Sequence, residues 1–261
     1  MIFNKHNKNL QRIIFALISF LIILIIWQII SVSELVSSKL IPPPTTIFIA
    51  GIEWIKSGEF YTDFSTSIWR GVTGLIIGSA IGILLGLYTG RSKKGNLFLT
   101  PILNTLKAFP PVAMLPVFIT FLGIGDISKI TAIAFATIFP LWVNTHLGAS
   151  SIPIEFIRSA KLLTKSKSIF FLKVILPASL NSIIGGFRIS IAIAFIMLYV
   201  SELAGASSGL GYQISSSNLA YRMDKMFAAL IVLGLTASLF DALFNRLIKK
   251  IFPWAKINKV I

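Results

Sequence analysis

The residues with the clearest chemical potential lie in one basic stretch, EFIRSAKLLTKSKSIFFLKVILP, which runs from Glu155 to Pro177. It contains one acid, Glu155, and five basic residues: Arg158, Lys161, Lys165, Lys167 and Lys173. If the stretch is helical, the spacing of three and four residues puts the first three cations on one face and apolar residues on another, namely Ile157, Ala160 and Leu163. Such a helix can bind a groove on another protein, or it can rest on anionic lipid at about 1 kcal/mol for each Lys or Arg.

Catalytic and metal chemistry have little support elsewhere in the chain. There is no cysteine, which excludes disulfides, thiolate metal sites and thiol catalysis. The two histidines, His6 and His146, are far apart in sequence, which argues against a zinc site. The sequence also lacks a G-x-x-x-x-G-K-[ST] phosphate loop, so it cannot hydrolyse ATP by that chemistry. We therefore predict that this protein is not an enzyme and binds no metal or cofactor itself.

The composition indicates a membrane protein. Hydrophobic residues make up 55% of the 261 residues, and charged residues only 13%, against about a quarter in soluble proteins. The net charge of +15 could suggest a nucleic-acid partner, but the basic residues alternate between blocks along the chain and form no recognition motif. We therefore predict an all-α polytopic membrane protein that binds lipid and no nucleic acid.

Six apolar segments predict six transmembrane helices in one domain covering residues 1–261: about 13–30, 69–90, 97–123, 130–151, 180–201 and 226–248. The first would span about 27 Å as a helix, close to the ~30 Å hydrocarbon core. A cleaved signal peptide is its alternative, although its apolar run is longer than usual for one. After the first segment, IPPPTTIF predicts a short interfacial helix capped by Thr45 or Thr46, with a surface loop as the alternative.

Two of these segments have special backbone features. Gly78, Gly82 and Gly86 lie along one face of the second segment, which predicts close packing against a neighbouring helix. The third segment is interrupted by four prolines, at positions 101, 110, 111 and 116. Irregular backbone within a membrane is tolerated where it is covered by protein or lines a water-filled cavity. Lys107, beside this break, should face the protein interior or extend to the membrane surface.

Four polar or ionisable residues lie within the later apolar segments, where such side chains are costly unless they contact other polar groups. Asn144 is expected to join two helices, with contact to a substrate as the alternative. His146 is expected to be a hydrogen-bonded packing residue rather than a proton relay. Arg188 is expected to extend toward the basic side of the membrane, and Asp241 to pair with a basic residue.

The basic residues also predict the topology. When Lys and Arg are assigned to alternate sides of the six segments, sixteen fall on one side and six on the other. The side with sixteen includes both termini and the basic stretch. Cytoplasmic loops carry the excess of Lys and Arg, so both termini and residues 155–177 should be cytoplasmic.

These features together resemble the permease subunit of a bacterial ABC importer, in the group that handles nitrate, sulfonates, taurine and bicarbonate. The resemblance extends from Leu40 to about Asp241. It depends on four segments: LIPPPTTIF at 40–48, FPPVAMLPVFITFLGIGDISK at 109–129, FPLWVNT at 139–145 and SELAGASSGLGYQI at 201–214.

In that family, a cytoplasmic helix with the pattern E-A-A, three residues, G, nine residues, I-x-L-P couples the permease to the ATPase. Aligned on Leu176 and Pro177, the glycine position is Thr164, and Arg158 stands where the family has an acid. The resemblance implies that the ATPase contact comprises Glu155, Ile157, Arg158, Ser159, Ala160, Lys161, Thr164, Leu176 and Pro177.

The resemblance also implies the fold, a type I ABC importer permease, and its partners. These are an ATP-binding cassette ATPase that carries ATP and Mg²⁺, a periplasmic or lipid-anchored solute-binding protein, and a second permease copy in a homodimer. The expected location is the bacterial inner membrane, as a multi-pass protein.

The function we expect is ATP-driven import of a small anionic solute by alternating access. A self-sufficient secondary carrier or channel is the alternative, although the sequence contains no second copy of the PPVAMLP pattern. For the translocation path we predict Lys107, Phe109, Pro110, Pro111, Met114 and Asn144. For an outer gate or contact with the binding protein we predict Glu202, Ser208, Gly209, Leu210 and Gly211, with a simple glycine turn as the alternative.

Overall fold

The computed structural model describes residues 3–33, 37, 40–164 and 166–254, and within them the chain is helical and contains no strand. The all-α prediction is confirmed. The helices are α1 (Phe3–Val32), α2 (Pro44–Lys56), α3 (Glu59–Arg91), α4 (Lys93–Ala108), α5 (Pro111–Leu122), α6 (Asp126–Ser150), α7 (Ile154–Leu163), α8 (Lys167–Phe170), α9 (Leu176–Leu203), α10 (Leu210–Leu219) and α11 (Met223–Ile251). A π-helical segment, Phe171–Ile175, joins α8 to α9.

Four helices of the described residues are long and apolar enough to cross a membrane: Glu59–Arg91, Asp126–Ser150, Ser168–Leu203 and Met223–Ile251. The bent pair α4 and α5 gives a fifth if it counts as one span, and α1 contains a shorter apolar helix, Leu17–Val32. The count of six spans and the side of the termini stay predictions.

The chain divides into two compact units. The smaller unit combines residues 1–61 with 213–231, and the larger unit combines 62–212 with 232–261. The prediction of one permease domain is not tested by this division.

In the smaller unit, α2 is the short helix predicted after the three prolines. It begins at Pro44, where proline is well tolerated because the first helical N–H groups have no partner within the helix. The predicted threonine cap is wrong, since residue 43 holds the cap position and Thr46 Oγ1 donates to its carbonyl at 2.8 Å. One face of α2 is buried through Ile47 and Trp54, and the Trp54 ring meets Phe60 edge-on at 5.1 Å.

In the larger unit, α3 packs against α6 through the predicted glycine face, which confirms that prediction. A Cβ atom on Gly82 would lie 2.6 Å from the Ile138 carbonyl oxygen and 2.9 Å from the Leu141 Cβ. Gly78 and Gly86 meet α6 in the same way. Without side chains at these positions the two backbones approach closely, which is the main route to tight packing between apolar helices in a membrane.

The helix α9 packs on another face of α6. A Cβ atom on Gly186 would lie 2.8 Å from the Asn144 Cβ, and Ser190 Oγ donates to the Thr137 carbonyl at 3.2 Å. The predicted fifth span starts at residue 180, but the apolar helix starts at Ser168, because the π-helical segment joins α8 to α9 without a break. The larger unit is therefore built around α6, which contacts both α3 and α9.

Candidate functional site

The helix α7 occupies the first part of the basic stretch and is two-faced, as predicted. Pro153 precedes its first residue, and Glu155 lies in its first turn, where the helix dipole favours an acid. Ile157 and Ala160 are buried, with 2% and 7% of their surface exposed. Arg158, like Ser159 and Lys161, lies on the exposed side.

The buried face of α7 belongs to a core cluster that unites several elements of the larger unit. Ile157 packs with residues from the cytoplasmic ends predicted for three long helices and from the loop before α7: Leu87, Ala149, Ile152 and Ile175. Leu176 packs against this cluster, whereas Pro177 is exposed. A displacement of α7 would therefore act on α3, α6 and α9 together.

The end of α7 differs from the prediction. The helix ends at Leu163, so Leu163 does not join the buried face and is 88% exposed, as is Leu162. Thr164 is extended, with φ −150° and ψ 134°, a conformation that any residue adopts. A glycine is therefore not required at this position. Lys165 lies outside the described residues, and helical structure resumes at Lys167.

The predicted translocation-path residues gather mainly at the break between α4 and α5. The two helices bend by 95° there, with Phe109 after the end of α4, Pro110 before α5 and Pro111 as its first residue. Phe109 is 48% exposed, and Met114 on α5 is half-buried. The proline pair stops the helix at this point because neither residue has an N–H to continue it.

Of the two polar residues predicted for the path, Asn144 is on α6, and Lys107 on α4 approaches a ring of α6. The Lys107 ammonium is 6.0 Å from the centre of the Trp142 ring, and its side chain is exposed in the single chain. Asn144 Nδ2 donates to the Pro140 carbonyl of its own helix at 2.8 Å. The Asn144 Cβ lies at the contact with Gly186 of α9, but within the described part of the chain its amide has no hydrogen-bond partner on a second helix, so the expected polar link between two helices is not formed.

His146 is the packing residue that the sequence predicts. Its Nδ1 is 2.9 Å from Thr89 Oγ1, and the same hydroxyl accepts a hydrogen bond from Trp142 Nε1 at 3.1 Å. These bonds connect α6 to α3 beside the glycine face.

A buried ionic cluster connects α3, α6 and α9 at the end of the helices that the charge count places outside. Arg70 Nη1 is 2.9 Å from Glu202 Oε1, and Arg70 Nη2 is 2.7 Å from Asp126 Oδ1. The Arg70 and Glu202 side chains are 5% and 0% exposed, whereas Asp126 is half exposed. Ser67 Oγ lies 2.8 Å from both Glu202 oxygens. The cluster thus gives a buried carboxylate both a counter-charge and hydrogen bonds, which it needs at such burial.

The same cluster holds the glycine-rich loop between α9 and α10. Three successive backbone N–H groups, at the end of the loop and the start of α10, donate to it: Gly209 to Asp63 Oδ1 at 2.8 Å, Leu210 to Ser67 Oγ at 2.7 Å and Gly211 to Glu202 Oε2 at 2.8 Å. The Ser208 carbonyl accepts from Arg70 Nη1 at 2.7 Å. Gly209 has φ +129°, and a Cβ there would lie 2.5 Å from the Glu202 carboxylate, so only glycine fits.

The structure therefore brings together all five residues predicted for the outer gate, and it adds four that sequence reasoning missed: Asp63, Ser67, Arg70 and Asp126. A signal for three of them was present, since Asp63, Ser67 and Arg70 are spaced by four and three and so share one helix face.

Comparison with known proteins identifies the family. Residues 78–255 match the model of the binding-protein-dependent transport system inner membrane component family. A putative aliphatic sulfonates transport permease protein, SsuC of Bacillus subtilis (strain 168), is 35% identical over 233 residues, which are 89% of this chain and 84% of that protein. This chain belongs to that family.

Other relatives of this permease carry related names. The taurine transport system permease protein TauC of Escherichia coli (strain K12) is 28% identical over 89% of this chain and 86% of TauC. The nitrate import permease protein NrtB of Leptolyngbya laminosa is 26% identical over 95% of this chain and 90% of NrtB.

The fold of the permease matches a solved structure as well. A chain of the MetNI methionine ABC transporter, in an inward-facing conformation, superposes with a TM-score of 0.59 at 18% identity. The match covers 76% of this permease and 97% of that chain. The expected type I importer fold is confirmed, and this chain is a multi-pass permease subunit of an ABC importer.

Proposed function

We propose that this permease imports a small anionic solute across the bacterial inner membrane, driven by a separate ATPase that seats on α7. The relatives named for sulfonates, taurine and nitrate support an anionic solute, since all these compounds carry an acidic group that is ionised at neutral pH. A bicarbonate-type solute shares that chemistry.

The observation that carries the proposal is the geometry of α7. Its apolar face is anchored in the core through Ile157 and Ala160, and its outer face presents Arg158 and Lys161. Leu162 and Leu163, both 88% exposed, extend from the same short helix. Exposed leucines beside cations suit a groove on a partner protein, in which both the apolar and the charged groups find contacts.

Coupling would then proceed through the shared cluster. Because Ile157 packs with residues of α3, α6 and α9, a movement of the ATPase that shifts α7 would move the inner ends of these helices as one body. Closely packed cores transmit such shifts rather than absorb them. ATP and Mg²⁺ would be bound by the ATPase.

The ionic cluster would act at the outer end as the gate element. Arg70, Asp126 and Glu202 connect the outer ends of the same three helices and fix the loop at Ser208–Gly211. Inner and outer movements would therefore be linked, as alternating access requires. A periplasmic or lipid-anchored binding protein would deliver the solute beside this loop.

The remaining elements complete the proposal. The break at Pro110 and Pro111 would line the path, together with Lys107, Phe109, Met114 and Asn144. A second permease copy would provide the other wall and a second α7 for a second ATPase.

The test is co-purification followed by reconstitution. The permease is expressed with the ATPase and the binding protein of the same gene cluster, and uptake of labelled taurine, methanesulfonate, nitrate and bicarbonate into proteoliposomes is measured with and without ATP. The expected result is that the ATPase co-purifies and that one anion is taken up only with ATP. Transport by the permease alone, without any ATPase, would instead establish a self-sufficient carrier.

A further inference from the structure

Arg188 is a charged residue deep within an apolar helix, and neither α7 nor the ionic cluster explains its presence. The apolar helix that contains it runs from Ser168 to Leu203. Within the predicted span, Arg188 lies about 12 Å from the inner boundary, at ~1.5 Å per residue. Ionisable residues at such depth are costly, and they usually face a protein interior or a water-filled cavity.

The contacts of Arg188 leave most of its guanidinium group available. Only Nε has a hydrogen-bond acceptor among the described residues, and that bond, to Asp241 Oδ1, is long at 3.4 Å. The predicted pairing of Asp241 with a basic residue is confirmed, while the extension of Arg188 toward the membrane surface stays a prediction. Asp241 Oδ2 accepts from Asn245 Nδ2 at 2.8 Å, while the buried Asn245 Oδ1 has no partner in the described part of the chain.

The face of α9 that carries Arg188 is polar and open. Asn181, Gly185 and Arg188 are spaced by four and three residues and so share one face. A Cβ atom on Gly185 would meet no atom within 4 Å, and Asn181 is exposed. Beside this face, the Phe187 ring stacks on Phe244 at 4.6 Å, which fixes α9 against α11. The Arg188 side chain, 28% exposed, thus lies on the same helix face as the open space beside Gly185.

We propose that Arg188 binds the transported anion within the membrane, with Asn181 and the space beside Gly185 completing the site. This rests on the proposed function. A guanidinium group presents several N–H donors in one plane, which matches the oxygen atoms of a sulfonate, nitrate or bicarbonate. Asp241 keeps the guanidinium oriented and offsets part of its charge, so that the anion is bound weakly enough to leave.

The competing explanation is that Arg188 and Asp241 form a purely structural ion pair between α9 and α11. Exchanging these two charged residues distinguishes the two explanations. The complex with the ATPase and binding protein is reconstituted with the variants R188Q, D241N and R188D/D241R. R246Q removes an exposed charge from α11 and serves as the control. Uptake of each labelled anion, basal ATPase activity and the apparent size of the detergent-solubilised complex are measured.

We expect R188Q to reduce uptake by about 10- to 100-fold, the effect of losing a hydrogen bond between charged groups. The exchange R188D/D241R should be equally impaired. D241N should retain uptake with an equal or lower KM, because the amide oxygen can still accept from Arg188 Nε and keep the guanidinium oriented while the offsetting charge is lost. Basal ATPase activity and complex size should match wild type and R246Q. Methanesulfonate or nitrate should raise the melting temperature of the solubilised wild-type complex and not that of R188Q.

The proposal is overturned if R188D/D241R restores uptake to within about twofold of wild type, or if D241N loses as much as R188Q. Either outcome shows that transport depends on the ion pair between Arg188 and Asp241 and not on the Arg188 guanidinium alone. Equal stabilisation of R188Q and wild type by the anion also overturns it. If wild type imports none of the anions, the proposed function fails first, which is a distinct result.

Discussion

Removing the charge of Arg70 should destabilise the permease more than removing the charge of any exposed residue. The variant R70M tests this prediction. Methionine keeps most of the apolar stem and deletes the guanidinium. Glu202, whose side chain is 0% exposed, would then keep hydrogen bonds from Ser67 and Gly211 but would lose its ion pair. Breaking a buried ion pair from one side costs about 3 to 5 kcal/mol.

That cost predicts a large shift in thermal stability. At about 2 to 4 °C for each kcal/mol in chains of this size, R70M should lower the melting temperature of the detergent-solubilised protein by about 6 to 20 °C. The matched control is R222M, because Arg222 is half exposed in its pair with Asp224. An exposed pair contributes about 0 to 1 kcal/mol, so its shift should stay below about 4 °C.

A double variant tests the cause. R70M/E202Q removes the uncompensated charge, while the amide oxygen introduced at position 202 can still accept from Ser67 and Gly211, so it should melt above R70M by at least half of the loss. The reasoning is refuted if R70M melts within about 2 °C of wild type, or if the two substitutions are simply additive.

Three further predictions concern packing, coupling and the path. G82A should lower the melting temperature, since its Cβ would lie 2.6 Å from the Ile138 carbonyl oxygen. G234A is the control and should not lower it, because its Cβ would have no atom within 4 Å. Equal shifts in melting temperature would contradict close packing at Gly82. R158E should weaken ATPase association by about tenfold or more in a pull-down titration, while R246E should not. Unchanged ATPase binding by R158E would instead support the alternative that α7 rests on anionic lipid. K107M should reduce anion uptake, and unchanged uptake of every anion tested would remove Lys107 from the path.

Several features could be predicted from the sequence because they are local. The apolar blocks, the glycine face of α3 and the break at Pro110 depend on spacing within one segment, and all three are present. The two-faced character of α7 was predicted for the same reason. The end of α7 was not predicted, because nothing in the composition marks it. The helix ends at Leu163, and this residue lies outside the buried face that it was expected to join.

The ionic cluster could not be predicted, because its partners are distant in sequence and depend on how helices rotate against each other. Arg70 and Glu202 are separated by 132 positions. The sequence predicted Glu202 for an outer gate and showed that Arg70 shares a helix face with Asp63 and Ser67, but nothing in it indicated that Arg70 and Glu202 meet. The early start of the helix before α9 was missed as well, since the predicted fifth span starts only at residue 180. The π-helical segment ends at Ile175, and the chain stays helical from there through Pro177.

The central claim is that ATP hydrolysis on a partner seated at α7 drives anion import through this permease. The most direct measurement is uptake of labelled taurine, methanesulfonate, nitrate and bicarbonate into proteoliposomes that contain the permease, its ATPase and its binding protein, with wild-type and R158E permease compared. The account predicts ATP-dependent uptake of at least one anion by wild type, and with R158E a reduction of both the uptake and the amount of bound ATPase. Uptake that proceeds equally without ATP or without the ATPase would contradict it.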